Sequence, residues 1–442
     1  MIDMLSCSRP ARNSRKRLVA AAAVLALAAA AAFGCARSVT TSQADGRRGR
    51  VLILGIDGTA PRLVKVWMSE GKLPNLRSLA EQGSSGRIRG DEVILSPRIW
   101  TSVATGKSPA LHGIKAWVLP GNRLYQGSDR RGAALWTIAS AAGLRVATVN
   151  WLATHPPEKI DGVVISELAQ PGRSESLQNM GRRFGWDGDP PREYQVAAVW
   201  PPEWQPRVAE IAEGVERAPD SGAFARPLLR GIREDDELAA RLALRVEREI
   251  RPDLLMVLLQ GNDRISHFNW CGVVIDPERY PEERRPRPVR MKRAGEEMLA
   301  YYRYTDSLVG RLLERFGPDD LVIVLSDHGF EPAVGDHFDP GVSGTHDSAR
   351  ARDGVLFVRG PGIPAGGTFD TVSVEDVTPT VLAWLGLPVG RDMTGRVLPF
   401  LKTDFPDTVD TYDDLPIERL DVDTDALEER IVTRLKSLGY LH

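Results

Sequence analysis

Short, continuous apolar runs, each stopped by a polar turn, punctuate the chain. "VLILGIDG" (Val51 to Gly58), "DLLMVLLQGND" (Asp253 to Asp263) and "DLVIVLSDHG" (Asp320 to Gly329) show no polar alternation. A strand buried on both faces reads this way, whereas a strand wetted on one side alternates. These three segments therefore predict buried strands of a parallel sheet, and "GVLFVRGPG" (Gly354 to Gly362) predicts a further strand. Between them, "LVKVWMSEGKLPNLRSLAEQG" has helical spacing and a glycine stop. "EDDELAARLALRVEREI" (Glu234 to Ile250) and "RAGEEMLAYYRYTDSLVGRLLERF" (Arg293 to Phe316) read as amphipathic helices. Strands alternating with helices predict an open α/β fold, a mostly parallel central sheet with helices on both faces.

Three stretches break this rhythm. Residues 170–231, rich in Pro, Gly, Arg and Trp, predict an irregular insertion, either a lid or binding loop or a surface excursion. Residues 402–442 form an acidic tail, expected to wrap in extended form and to close with a short helix. The start is different again. Arg9, Arg12, Arg15, Lys16 and Arg17 precede "LVAAAAVLALAAAAAFG", an uncharged, alanine-rich run that ends at Gly34-Cys35. Basic residues before a short apolar run form an export signal. Residues 1–35 are read as that segment, 36–50 as a polar tether and 51–401 as the catalytic domain. The run's end resembles the lipobox of bacterial lipoproteins, with Ala32 where leucine is usual. Lipidation at Cys35, an uncleaved anchor and simple secretion are the three outcomes. All of them place the domain in the cell envelope or beyond, and the first two attach it to a membrane.

Composition adds little. The 442 residues are 42% hydrophobic and 26% charged, as in an ordinary globular protein, and the net charge of −2 gives no reason to expect a nucleic-acid polymer as partner. With Cys7 in the signal and Cys35 at its end, Cys271 stands alone and reads as a small buried hydrophobe.

The chemistry lies at the strand ends. Asp57, Asp263 and Asp327 each follow an apolar run, and ligands of open α/β sheets bind beyond the carboxyl ends of strands. His328 adjoins Asp327, His267 lies one helical turn after Asp263, and "SGTHDS" contributes His346. Any one of these aspartates could merely cap a helix. Carboxylates and imidazoles converging together on one edge describe a divalent-metal site with mixed oxygen and nitrogen ligands. Elsewhere, "ILSPRIWTSVATGKSPALHGI" opens with Ser96-Pro97, which reads as an N-cap followed by proline at the first helical position.

The motifs "LGIDGTAPRLVKVWMSEGKLPNLRSLAEQG", "SPRIWTSVATGKSPALHGI", "QGNDRISH", "VLSDHGF", "GTHDS" and "DVTPTVLAWLGLP" occur in this order. Through them the chain resembles the alkaline phosphatase superfamily, in particular its type I phosphodiesterase/nucleotide pyrophosphatase branch. The resemblance implies an alkaline phosphatase-like fold and two divalent metal ions, expected to be zinc, with manganese as the alternative. Asp263, His267 and His346 would hold the first ion. Asp57, Asp327 and His328 would hold the second, with the nucleophile as a further ligand. In that branch the nucleophile is a threonine nine residues before the Thr of a Thr-Gly pair. The pair here is Thr105-Gly106, and the matching residue is Ser96. Ser96 would then both cap its helix and attack phosphorus, through a Ser96 phosphoenzyme.

The chain departs from the pattern at one point. The branch's asparagine, which holds a phosphate oxygen downstream of the nucleophile, is absent between Ser96 and Ile114. Arg98 and Asn262 are the candidate replacements. The expected substrate is a small-molecule or headgroup phosphoester, first a diester, with phosphomonoesterase and phosphomutase chemistry as alternatives. A sulfatase would need proline at Arg98 and arginine at Trp100. A non-catalytic binding protein on the same scaffold is the rival from another class.

Overall fold

Val51–Ile56, every residue of it buried, forms the first strand (β1) and becomes the middle strand of the central sheet. The computed structural model describes residues 49–119, 125–167, 169, 198–215, 222–335, 341–401 and 407–421. The expected export segment with Cys35, most of the expected tether, residues 170–197 and 216–221 of the expected insertion and the expected terminal helix lie outside the described residues.

The sheet is built from β1, β2 (Ser84–Arg89), β3 (Val146–Val149), β4 (Gly162–Ile165), β5 (Val199–Trp200), β6 (Leu254–Leu259), β7 (Leu321–Leu325), β10 (Asp353–Arg359) and β11 (Gly367–Ser373). A small separate ladder pairs β8 (Glu331–Pro332) with β9 (Gly344–Thr345). The nine strands run in the order β11-β2-β10-β7-β1-β6-β3-β4-β5. From β7 to β4 all neighbours are parallel. The expected strand at Gly354 is β10, and it runs antiparallel to both its neighbours.

Side chains alternate across the sheet and separate into two cores. Leu52, Leu54 and Ile56 face one core, Val51 and Ile53 the other, and β6 and β7 divide in the same way. The first core is covered by α1 (Pro61–Ser69), α2 (Pro74–Gln82), α5 (Pro227–Ile250) and α7 (Pro288–Leu313). The second is covered by α3 (Ser96–Thr105), α4 (Leu135–Ala141) and α8 (Val377–Leu385). Between β6 and α7 lies α6 (Gly261–Asn269).

The segment after β1 is two helices. Gly71, at φ +71°, closes the first, and Pro74, which has no N–H to donate, opens the second. Part of the expected irregular insertion is also regular, with a helix at Gln205–Glu213 and the start of α5 at Pro227. Cys271 is buried and free.

The described part of the tail, 407–421, is extended and tied down. Leu420 N–H donates to the Pro157 carbonyl at 2.8 Å, and Lys159 N–H donates to that of Glu418 at 2.8 Å. The buried Lys107 ammonium reaches Asp392 at 2.6 Å and Asp413 at 2.5 Å.

Candidate metal centre and nucleophile

Because β7, β1 and β6 are adjacent and parallel, the segments that follow them meet at one edge. Asp57 follows β1, Asp263 and His267 sit one turn apart on α6, and Asp327 and His328 follow β7. His346 follows β9, which is held against α6. Ser343 N–H donates to the His267 carbonyl at 2.7 Å, and His267 Nδ1 pairs with Gly344 O at 3.1 Å. Gly58 permits the close approach of β1's turn to α6. Its φ is +65°, and a Cβ there would lie 2.6 Å from Asp263 Cα.

Two groups result: Asp263, His267 and His346, and Asp57, Asp327 and His328. Within each, one ligand atom per residue lies within 4.8 Å of the others. His267 Nε2 and His346 Nε2 are 3.6 and 3.7 Å from Asp263 Oδ1. His328 Nε2 is 3.4 Å from Asp57 Oδ1, 3.5 Å from Asp327 Oδ2 and 3.8 Å from Asp263 Oδ1, so the two groups adjoin. These separations are mostly long for hydrogen bonds. They suit donors around a cation, since ligands about 2.0–2.2 Å from a tetrahedral zinc lie roughly 3.3–3.6 Å from one another. Asp327 Oδ2, His328 Nε2 and His346 Nε2 are buried and make no hydrogen bond, which fits atoms reserved for a metal. The other ring nitrogen of His328 pairs with Gly329 O at 2.9 Å, an arrangement that fixes the tautomer of a ligating imidazole.

Electrostatics favours the same occupant. Burial raises the Asp57 carboxyl, with Asp263 adding to the rise against the pull of His328. Burial, then the neighbouring Asp57 charge, drives Asp327 well above the carboxylate range. Burial opposes charge on His328, yet Asp327 and Asp57 outweigh it and push the imidazole up to about 10. Burial and the facing His328 hold His346 well below its usual value. Three carboxylates packed this deeply call for compensating positive charge.

Ser96 lies beside the second group, 3% exposed, with Oγ 3.4 Å from Asp57 Oδ1. The expected cap is corrected here. Leu95 is the cap residue of α3, Ser96 is already within the helix, and no side chain makes a capping bond. The hydroxyl is turned toward Asp57. One turn on, Trp100 Nε1 donates to Asp57 Oδ2 at 3.3 Å, and its ring meets Trp151 edge-on at 5.2 Å. Trp100 escaped the sequence reading, although its i+4 spacing from Ser96 places it on the same helix face.

The two side chains considered for a phosphate oxygen are engaged elsewhere. Arg98 pairs with Asp91 at 2.6 Å. Asn262 donates to Thr59 Oγ1 at 2.9 Å and accepts from Thr305 Oγ1 at 2.8 Å. Away from the centre, His112 is buried and pairs with Ser102 Oγ at 3.0 Å.

A sequence model described as type I phosphodiesterase / nucleotide pyrophosphatase matches residues 51–352. Solved structures of similar fold include a candidate sulfatase from Bacteroides thetaiotaomicron, with TM-score 0.50 and 14% identity over 80% of this chain and 74% of that one. A phosphonate monoester hydrolase from Silicibacter pomeroyi aligns with TM-score 0.48 and 17% identity over 79% of this chain and 76% of the other. No curated protein matches the chain.

Proposed function

The chain belongs to the type I phosphodiesterase / nucleotide pyrophosphatase family of alkaline phosphatase superfamily hydrolases, and we propose that it is an exported, metal-dependent phosphodiesterase with Ser96 as nucleophile. One observation carries the reading: Ser96 Oγ stands 3.4 Å from Asp57, at the edge of two adjoining carboxylate–imidazole groups. Asp263, His267 and His346 would hold one divalent ion, and Asp57, Asp327 and His328 another. Zinc suits these donors best, and manganese is the alternative. When bound, the ions supply Lewis acidity and charge stabilisation at phosphorus.

The protein's own groups then do the following. Ser96, held at the start of α3, would attack phosphorus through Oγ: the Oγ–P bond forms as the P–O bond to one alcohol breaks, and that alcohol leaves with the Oγ proton. Water then cleaves the Oγ–P bond to release the phosphomonoester and restore Ser96. Asp57, fixed on its far side by Trp100, stays oriented beside that oxygen. The six ligands carry three carboxylates, so two divalent ions would leave this edge cationic while Ser96 is protonated, which favours a phosphoester anion. Export rests on the basic and apolar start, and membrane attachment on Cys35 or an uncleaved anchor. The expected substrate is a small-molecule or headgroup phosphoester.

Activity of the metal-loaded protein on paired aryl phosphate mono- and diesters tests the reading. Diester turnover that exceeds monoester turnover and stops with chelator is expected. Faster monoester hydrolysis, or turnover indifferent to chelator, would overturn the diesterase assignment.

A further inference from the structure

The Asp57 turn, α6 and the Asp327–His328 turn carry five of the six proposed ligands, and His346 follows β9; Asp57 lies 206 residues before Asp263 and 270 before Asp327, and those two are 64 apart. Among the described residues, Thr59 touches both α6 and the segment of the Asp327–His328 turn. Its backbone N–H donates to Ser326 Oγ at 2.7 Å, and Ser326 Oγ donates onward to the His328 carbonyl at 2.9 Å. Its own Oγ1 accepts from Asn262 Nδ2 at 2.9 Å, and the Asn262 oxygen accepts from Thr305 on α7 at 2.8 Å. Gly58 N–H adds a direct bond to Asp327 Oδ1 at 3.1 Å. All the hydroxyl and amide side chains of this chain of bonds are buried: Thr59 is 1% exposed, Ser326 0%, Asn262 2% and Thr305 2%.

Thr59 lies two residues after Asp57, Ser326 one before Asp327 and Asn262 one before Asp263. Each bond therefore acts on the backbone next to a ligand. We infer that Thr59, Ser326 and Asn262 form a buried latch that sets the separation of the two metal half-sites. Thr59 and Ser326 hold the Asp57 turn against the Asp327–His328 turn, which shapes the second half-site. Thr59 and Asn262 hold that assembly against α6, which fixes its distance from Asp263 and His267. The three are positioning residues, acting through the ligands beside them. In water such bonds would exchange freely; in this dry interior an alternative arrangement leaves a buried polar group unpaired, so one spacing is strongly preferred.

The inference rests on the two-metal reading above, and the test separates the two. Zinc affinity of the full chain is measured by competition with a chromophoric chelator, and site geometry by the visible absorption of the cobalt-substituted protein. Wild type should bind two ions. Ser326→Ala should weaken one ion by about 10- to 100-fold and leave the other unchanged. Thr59→Val should weaken binding and alter the cobalt spectrum, while Thr59→Ser, which keeps the oxygen, should restore both. If Thr59→Val does not fold, Ser326→Ala and Thr59→Ser decide. Variants that melt earlier yet bind both ions with wild-type affinity and spectrum would make these residues merely structural and overturn the inference. Wild-type protein that binds no divalent ion would instead remove the two-metal reading itself, and the latch with it.

Discussion

Replacing Ser96 by alanine separates chemistry from stability. The hydroxyl makes no capping bond, and its nearest polar contact, to Asp57, is 3.4 Å long and correspondingly weak. Alanine also favours the helix slightly more than serine does. The unfolding free energy should therefore change by no more than about 0.5 kcal/mol. A capping serine would have cost about 1 kcal/mol. The six other proposed ligands are untouched, so bound metal should persist. Loss of the attacking oxygen should lower kcat by about 10³-fold or more, equivalent to about 4 kcal/mol in the barrier. Ser96→Thr retains an oxygen and should retain measurable turnover. Urea unfolding, metal analysis and diester hydrolysis on the same preparations give the three readings. Ser96→Ala turning over within about tenfold of wild type, with metal and fold intact, would refute the nucleophile.

Two further expectations concern pH and the N-terminus. Burial, aided by Arg130, lowers His112 to about 3, whereas an unfolded histidine titrates near 6.5. Between these values the unfolded chain binds the extra proton, so stability falls as pH falls. The loss from this residue is about 2 kcal/mol at pH 5 relative to pH 8. His112→Gln should flatten the urea-derived stability curve over that interval, and parallel curves would contradict the assignment. Labelled palmitate should enter the wild-type protein and not Cys35→Ser; protein found in the cytoplasm with Met1 intact would refute export.

The centre was legible because burial on both faces makes β1, β6 and β7 read as apolar runs, and the end of each run carries a proposed ligand. The flanks were harder. β2, "SSGRIR", and β11, "GTFDTVS", are half-exposed and polar, and only their partners make them strands. The helix at Gln205–Glu213 was hidden by proline- and tryptophan-rich surroundings, although Val208 and Ala212 keep helical spacing. The cap at Ser96 failed for a different reason. Local sequence permits it, but the hydroxyl turns to a carboxylate 39 positions earlier. The latch was equally invisible, since Thr59 meets Asn262 and Ser326 across separations of 203 and 267 residues.

The order of strands in the sheet also dictates the order in which pairing becomes available during synthesis. β1 is made first, yet its partners are β6 and β7, which begin at Leu254 and Leu321. β2 likewise waits for β10 and β11. Among the described strands, only β3, β4 and β5 can join one another until β6 emerges. A nascent chain thus carries an unpaired, wholly apolar strand for about two hundred residues of elongation, an exposed edge of the kind that seeds aggregation. On the export proposed above, this delay would be useful: the central sheet cannot close early and block passage across a membrane. The same delay leaves β1 unpaired until β6 and β7 have been made, so chains truncated before Leu254 should aggregate where the full chain does not.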